Sequence, residues 1–197
     1  SVGAGAELSH GFGGGLKLVA GADFRQRVNF RLDTFDSAST DLRLGLQQDF
    51  GKNTLRLGLG ANRYDLDNAA YRRIGSLNGE WRHEYDARTQ VSAFAQDSRV
   101  RYVREDTRSN SVDQLLIGIG GLRLLDADGK LVVFGSLFGG RENAVQDRVD
   151  GDKRFAGVRL GLQKALRGDI DLFTSLTAQD GRYTQENLLF AGRRRDA

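Results

Sequence analysis

The chain has 197 residues with 26 glycines, and it contains no proline, cysteine or methionine. The absence of cysteine excludes disulfide frameworks, thiolate zinc sites and cysteine nucleophiles. Its 29 basic and 26 acidic side chains nearly balance to a net charge of +3, so the composition does not indicate nucleic acid as a partner. No run of the sequence approaches the roughly 18 apolar residues of a membrane helix.

Apolar and polar side chains alternate along most of the chain, and this period of two predicts β-strands. The pattern is clearest in residues 42–66, LRLGLQQDFGKNTLRLGLGANRYDL, where leucine alternates with other residues on either side of Gly-Lys-Asn. Segments with this alternation follow in chain order: 16–25, 42–48, 55–60, 77–81, 91–95, 156–163 and 170–179. The start of segment 115–125 is apolar on both faces, so its parity stays open. We expect about ten strands, each near the roughly 9 to 11 residues that a tilted transmembrane strand needs.

Short turns alternate with longer polar segments between these strands. The short turns are 13–15, 51–53, 86–89, 126–130 and 167–169. The longer segments are 28–38, 64–70, 104–111, 141–152 and 183–192. Tight hairpins at one end of a sheet and long loops at the other are typical of outer-membrane barrels, whose short turns face the periplasm and whose long loops face outside.

The leucine-rich face of these strands allows two interpretations. In a soluble sandwich it would pack into a core, and in a membrane barrel it would face lipid. Long strands, unequal loops, glycines between arginines and aromatic residues near strand ends favour lipid. Those aromatic residues are Phe12, Phe24, Phe50, Tyr71, Tyr85 and Tyr102. We therefore predict an all-β, antiparallel, up-and-down transmembrane β-barrel, in which residues 1–197 form one domain of the bacterial outer membrane in contact with outer-membrane lipids.

Charged side chains of the opposite parity are predicted to face an aqueous lumen. The lumen-facing candidates are Arg25, Arg43, Arg56, Arg159, Asp23 and Asp171. Their mixed sign predicts cross-strand ion pairs that brace the wall, with some effect on pore selectivity. A channel for anions alone would show a stronger bias toward one sign.

Catalytic and metal sites are not predicted from this sequence. Asp126 to Gly129 is similar to the start of a calcium loop, but an apolar segment stands where a further acidic ligand would be needed, so a turn is favoured. His10 and His83 are the only histidines, and a hydrolase triad at either is the weaker interpretation. We expect no enzymatic activity, no cofactor and no metal.

The end of the chain carries a resemblance to a known family. Tyr183 is followed by Leu-Phe-Ala-Gly at 189–192 and Arg-Arg-Arg-Asp at 193–196, while Phe-Asp-Ser at 35–37 precedes a Leu-Arg-Leu-Gly-Leu strand. In these elements the chain resembles the C-terminal barrel domain of the surface lipoprotein assembly modifier (Slam) family. The matched charges would form a salt-bridged loop base, a lumen contact or a solvated cluster. They are Arg193, Arg194 and Asp196.

The resemblance implies a barrel of about fourteen strands, preceded by a periplasmic tetratricopeptide-repeat domain. The chain would then hold about ten of these strands and be incomplete at its C-terminal end. The resemblance also implies that the protein helps to translocate lipoproteins or secreted proteins to the cell surface, with such a client and periplasmic chaperones as partners. A passive porin for small polar solutes, a polysaccharide-export pore and a barrel without a transport role remain as alternatives.

Overall fold

The computed structural model describes residues 1–29, 36–126, 128–166, 171–187 and 193–196, which form ten long strands and a short eleventh one. In chain order the strands are β1 (Val2–Gly13), β2 (Leu16–Arg27), β3 (Ser37–Phe50), β4 (Asn53–Leu66), β5 (Ala69–Asp86), β6 (Thr89–Tyr102), β7 (Val112–Leu124), β8 (Leu131–Ala144), β9 (Lys153–Ala165), β10 (Asp171–Asn187) and β11 (Arg193–Asp196). A single 3-10 turn, Arg108–Asn110, precedes β7 in the described chain. The described residues contain no helix that is long and apolar enough to cross a membrane.

The strands form one antiparallel sheet whose order is the chain order from β1 to β11. This confirms the predicted all-β, antiparallel, up-and-down architecture with about ten strands. Within the described sheet, β1 pairs only with β2 and β11 only with β10, so the two edges do not meet.

The strands are longer than the predicted length. β3 and β4 each have 14 residues, and β5 has 18. Their ends carry polar side chains, as where Arg63 of β4 lies opposite Arg73 of β5, and the ladder continues through them. The strand length was expected from the apolar segments alone. It was too short because backbone pairing continues into the polar residues at the strand ends.

Glycines close the first two hairpins at the short-turn end of the sheet. Gly13, Gly14 and Gly15 have φ values of 85°, 59° and 82°, and Gly51 has 60°, a region that favours glycine. In the next turn the Arg88 N–H donates a hydrogen bond of 2.7 Å to Asp86, which lowers the pKa of that carboxyl. The predicted turn 167–169 lies outside the described residues.

The connection between β4 and β5 is a tight hairpin, and the prediction of a longer loop over 64–70 is wrong. β4 continues to Leu66, and β5 begins at Ala69. Asp67 and Asn68 form the turn with φ values of 56° and 55°. Positive φ at both central residues is typical of a type I′ turn, which asparagine and aspartate tolerate and which matches strand twist. The polar residues before it belong to the strand, although their polarity indicates a loop.

The register divides the sheet into two faces, here called the leucine face and the polar face. Leu44 of β3 lies opposite Leu59 of β4 and Leu77 of β5 on the leucine face. One step along the strands, Gly45 lies opposite Gly58, and Asn78 follows in the same row on the polar face. Successive residues of a strand point to opposite faces, so parity assigns the other strand residues in the same way, apart from local bulges.

Nothing in the described part of the chain covers the leucine face. Leu44 is 47% exposed and Leu59 is 56% exposed, and no large side chain is fully buried among the described residues. A soluble sandwich would bury this face under a second sheet. The described residues form only one sheet, and an exposed apolar face of this extent marks an interaction surface.

The apolar band on the leucine face is inclined to the rows of hydrogen-bonded residues. The row that contains Leu59 and Leu77 continues through Asp97 of β6 and Leu115 of β7 to Arg141 of β8. The apolar residues of the later strands therefore lie nearer the short-turn end. A band that crosses strands obliquely is expected when tilted strands span a layer of fixed thickness.

Aromatic side chains border this band at the short-turn end of the leucine face. Phe12 is 58% exposed, Phe50 48%, Trp81 40% and Tyr85 70%. Each lies within a few residues of a short turn. Aromatic residues in this position are typical of the boundary between hydrocarbon and water.

Candidate functional site on the polar face

The predicted lumen residues all share the parity of the polar face. They are Asp23 and Arg25 of β2, Arg43 of β3, Arg56 of β4, Arg159 of β9 and Asp171 of β10. The structure brings Asp23 and Arg43 into an ion pair with an N–O distance of 2.6 Å. Arg56 joins a neighbouring network. The described ion pairs do not include Arg25, Arg159 or Asp171.

A network of hydrogen bonds and ion pairs connects β3, β4 and β5 on the polar face. Arg56 Nε donates to Gln47 Oε1 at 2.8 Å, and the Gln47 amide donates to both oxygens of Asp49 at 3.1 and 3.0 Å. Glu80 lies 2.7 Å from Arg82 and 3.9 Å from Arg56. Arg56 therefore links β4 to β3 by a hydrogen bond and to β5 by an ion pair, while the Gln47–Asp49 and Glu80–Arg82 contacts lie within single strands.

Glu80 and Arg82 were not predicted as site residues. Glu80 and Arg82 lie on either side of Trp81. The residue two positions before Trp81 is Gly79, so the apolar alternation is weak in this segment. Their role depends on Arg56 standing opposite Glu80, and that register cannot be read from one strand alone. Strand parity was the available signal, and it would have placed both on the polar face.

A groove of about 590 Å³ runs along this part of the polar face and is lined by both charged and small side chains. Arg43 and Arg56 lie along it beside Gly58 and Gly60. A Cβ on Gly60 would come within 2.6 Å of the Ser76 hydroxyl. The glycines therefore leave room for neighbouring polar side chains to lie across the sheet.

The polar face changes character between β6 and β9, where phenylalanine and glycine alternate across strands. Phe94, Gly118, Phe138 and Gly157 occupy one row. A Cβ on Gly157 would lie 2.5 Å from the tip of the Phe138 ring. Each ring therefore lies on the main chain of the glycine beside it, an arrangement that compensates for missing side chains in a sheet.

The phenylalanines continue to β10. The rings of Phe134 and Phe173 are stacked with 5.5 Å between their centroids and an angle of 18°. The Arg159 guanidinium lies 5.9 Å from the centroid of Phe134. The predicted lumen residue Arg159 therefore contacts an aromatic group, whereas Arg43 and Arg56 contact acids.

Tyrosines gather at the long-loop end of the sheet. Tyr71 makes edge-to-face contacts with Tyr64 at 6.0 Å and with Tyr102 at 5.5 Å. A register shift beside Tyr64 leaves Tyr71 without a direct partner on β4, and a bulge of this kind re-aims a side chain. Arg72 lies 5.7 Å from the Tyr64 ring, and Arg104 lies 5.6 Å from the Tyr71 ring. Tyr71 and Tyr102 thus form a cluster with Tyr64 instead of a simple lipid-facing border.

The residues that carry the family resemblance are only partly described. Asp196 lies opposite Arg182, and Arg194 and Arg193 pair with the end of β10. This shows a strand at 193–196, while their side chains and residues 188–192 lie outside what is described. The proposed salt-bridged loop base at Arg193, Arg194 and Asp196 therefore stays a prediction.

The two histidines make structural contacts on the leucine face. The His10 ring contacts Phe12 at 4.7 Å, and the His83 ring is stacked on Trp81 at 5.8 Å. Asp126 accepts a hydrogen bond from the Leu131 N–H at 3.0 Å within its turn. Among the described residues, no group of three or more His, Cys, Asp or Glu side chains could hold a metal ion.

Fold and site together define a single all-β sheet with one uncovered apolar face and one hydrogen-bonded polar face. The chain matches no model of a protein family, and a search of curated proteins finds no match to it either.

Proposed function

We propose that the chain forms part of the wall of a bacterial outer-membrane β-barrel, whose polar face lines a passage by which polypeptides reach the cell surface. The observation that carries this proposal is the contrast between the two faces of one sheet. Leu57 is 51% exposed on the leucine face, while its neighbour Arg56 is held in a cross-strand network on the polar face. Apolar residues outside and polar residues inside are the pattern of a membrane barrel.

The open edges of the sheet support a larger assembly. In hydrocarbon, unpaired N–H and C=O groups along β1 would each cost several kcal/mol, roughly the penalty for an unsatisfied polar group in lipid. The free edge of β1 must therefore pair with another strand in the membrane. At the opposite edge of the sheet, the short β11 adds a strand beside β10.

The charge pattern of the polar face fits polypeptide cargo. Asp23 offsets Arg43, and Glu80 offsets Arg82, so neither sign dominates this part of the wall. A lining of paired charges neither excludes nor traps a chain that carries both signs. The resemblance at 193–196 to the surface lipoprotein assembly modifier family adds support for this cargo.

Reconstitution of the full-length protein tests the proposal. A client protein is synthesised inside proteoliposomes, and protease is added outside. Digestion of the client that requires the barrel supports translocation, with empty vesicles and an unrelated porin as controls for leakage. A client that stays protected in vesicles with correctly inserted barrel contradicts it.

Site-specific cross-linking tests which face meets the client. The 197 residues contain no cysteine, so single cysteines can be placed at Ser76 on the polar face and at Leu77 on the leucine face. A client arrested during translocation should cross-link to Ser76→Cys and not to Leu77→Cys. Equal cross-linking at both positions would contradict a passage along the polar face.

A polysaccharide-export pore is the second candidate, and the phenylalanines of β6 to β10 favour it. Phe138 and the stacked Phe134 and Phe173 offer aromatic surfaces on the polar face, and sugar rings pack on such surfaces. In planar bilayers, oligosaccharides should then block the ion current. Phe138→Ala should weaken the block, and Leu137→Ala on the leucine face should not. A current unaffected by oligosaccharides would leave a passive pore for small polar solutes.

A further inference from the structure

Two rows of arginines stand on the leucine face where the apolar band gives way to the long-loop end. In the first row, Arg63 of β4, Arg73 of β5 and Arg101 of β6 lie directly opposite one another. In the second row, the arginines of β8, β9 and β10 do the same: Arg141, Arg154 and Arg182. Like charges in directly opposite positions destabilise a sheet, so each row needs anions nearby.

Acidic side chains compensate the first row more fully than the second. Arg63 pairs with Asp65 at 3.0 Å, and Arg101 pairs with Asp113 at 2.5 Å. In the second row Arg182 lies 3.6 Å from Asp180. With the residues that the structure describes, Arg141 and Arg154 form no ion pair. Both are exposed and therefore free to bind an anion from outside.

An apolar groove leads to these two arginines. Its volume is about 830 Å³, its apolar lining includes Leu115, Ile117 and Leu137, and it also reaches Arg141 and Arg154. Ile117 is 55% exposed and Leu137 is 57% exposed on the same face. A hydrocarbon chain along this groove would place the head of the same molecule at the arginines. The arrangement therefore suits an amphiphile with an anionic head more than a free ion.

We propose that Arg141 and Arg154 of the second arginine row bind the phosphate groups of an acylated, phosphorylated glycolipid in the outer leaflet, with an acyl chain in the adjacent groove. Arginine binds phosphate with paired N–H groups in a fixed geometry, which favours it over lysine at such a site. The inference rests on the proposed position in the outer membrane with the long-loop end outside. It does not rest on which cargo the barrel carries.

The test measures lipid binding by the full-length protein in phosphatidylcholine nanodiscs that contain bis-phosphorylated lipid A. Each arginine near a membrane surface contributes about fivefold to the binding of an anionic group, so Arg141→Gln with Arg154→Gln should weaken binding roughly 25-fold. The matched control is Arg123→Gln with Lys164→Gln, which removes equal charge from the same face at its short-turn end. The control should change binding less than about twofold.

Two further measurements distinguish a phosphate carried by a lipid from free inorganic phosphate. Lipid A stripped of phosphate should bind as weakly to the native protein as intact lipid A binds to the double variant. Inorganic phosphate should compete poorly because it cannot use the groove. The proposal would be overturned if both double variants lost lipid binding equally. It would also be overturned if the native protein bound stripped and intact lipid A equally well, or if inorganic phosphate competed fully with lipid A.

Insertion and folding are scored separately, by protection from external protease and by resistance to unfolding in cold detergent. Arg141→Lys with Arg154→Lys keeps the charge and should show intermediate binding, which covers the case in which the glutamine variant fails to insert. Native protein that does not insert overturns both the lipid site and the proposed function. Inserted protein that binds lipid A but moves no client overturns only the translocation proposal.

Discussion

Single residues on the polar face are constrained by what lies across the neighbouring strand. Gly161 of β9 stands opposite Phe134 of β8, and the Phe134 ring occupies the space where a Cβ on Gly161 would be. Gly75, on the leucine face, has no atom within 4 Å of its corresponding position. A neighbouring side chain therefore requires a glycine at position 161 but not at position 75. Alanine substitutions at the two positions should differ in their effect on stability.

Gly161→Ala should lower the free energy of unfolding by about 1–3 kcal/mol, because the Phe134 ring has to leave its position on the glycine. Gly75→Ala is the matched control and should stay within about 0.5 kcal/mol of the native protein. Urea unfolding in phospholipid vesicles, followed by the fluorescence of Trp81, measures both. Similar costs at the two positions would contradict the packing of Phe134 on Gly161.

A second prediction at this scale concerns the pair formed by Asp23 and Arg43. Their side chains are 28% and 56% exposed, so Asp23→Asn should change stability by less than about 1 kcal/mol. The variant leaves the charge of Arg43 uncompensated, so reversal potentials in a salt gradient should shift toward anion selectivity. Asp65→Asn removes the partner of Arg63 on the leucine face and should not shift them. A shift of equal size in both variants would contradict a passage along the polar face.

At the scale of elements, the hairpin between β4 and β5 shows where sequence reasoning fails. The polar residues at 64 and 65 favour a loop in the sequence, yet they continue the strand to Leu66. Polarity reports contact with water and does not report whether the backbone is paired. The Asp67-Asn68 pair carried the missing signal, because both residues tolerate the positive φ of a two-residue turn.

The hairpin makes a prediction of its own. Asn68→Val places a β-branched residue at a φ of 55° and should cost roughly 1–3 kcal/mol in the free energy of unfolding. Asn68→Gly should be neutral or slightly stabilising, since glycine adopts this conformation freely. Urea unfolding compares the two variants. Equal stability of both would show that the turn does not hold this conformation in solution.

Strand parity and strand register differ in how far they follow from sequence. Alternation placed Arg43 and Arg56 on one face without knowledge of any neighbour. The contact of Arg56 with Glu80 and the position of Phe138 over Gly157 depend on which residues stand opposite each other. Turn lengths and bulges determine that register, so these contacts had to come from the structure.

At the scale of the whole molecule, the inclination of the apolar band is the pattern that the proposed position in a membrane would give. One row of the leucine face passes from Leu59 to Leu115 and then to Arg141. If tilted strands cross a hydrocarbon layer, residues of this row lie at different depths. Leu59 would then lie near the middle of the layer and Leu115 near its outer border.

Arginine substitutions along this row measure the gradient. Leu59→Arg should cost about 2–4 kcal/mol in vesicles, and Leu115→Arg about 0–1 kcal/mol, because the cost of a charge on the lipid face depends on its depth. Urea unfolding in vesicles gives both values, and the shared row makes each variant the control for the other. Equal and large costs would mean that the row lies parallel to the membrane plane. Small costs at both positions would mean that the leucine face meets water or protein instead of hydrocarbon, and the barrel proposal would fail with them.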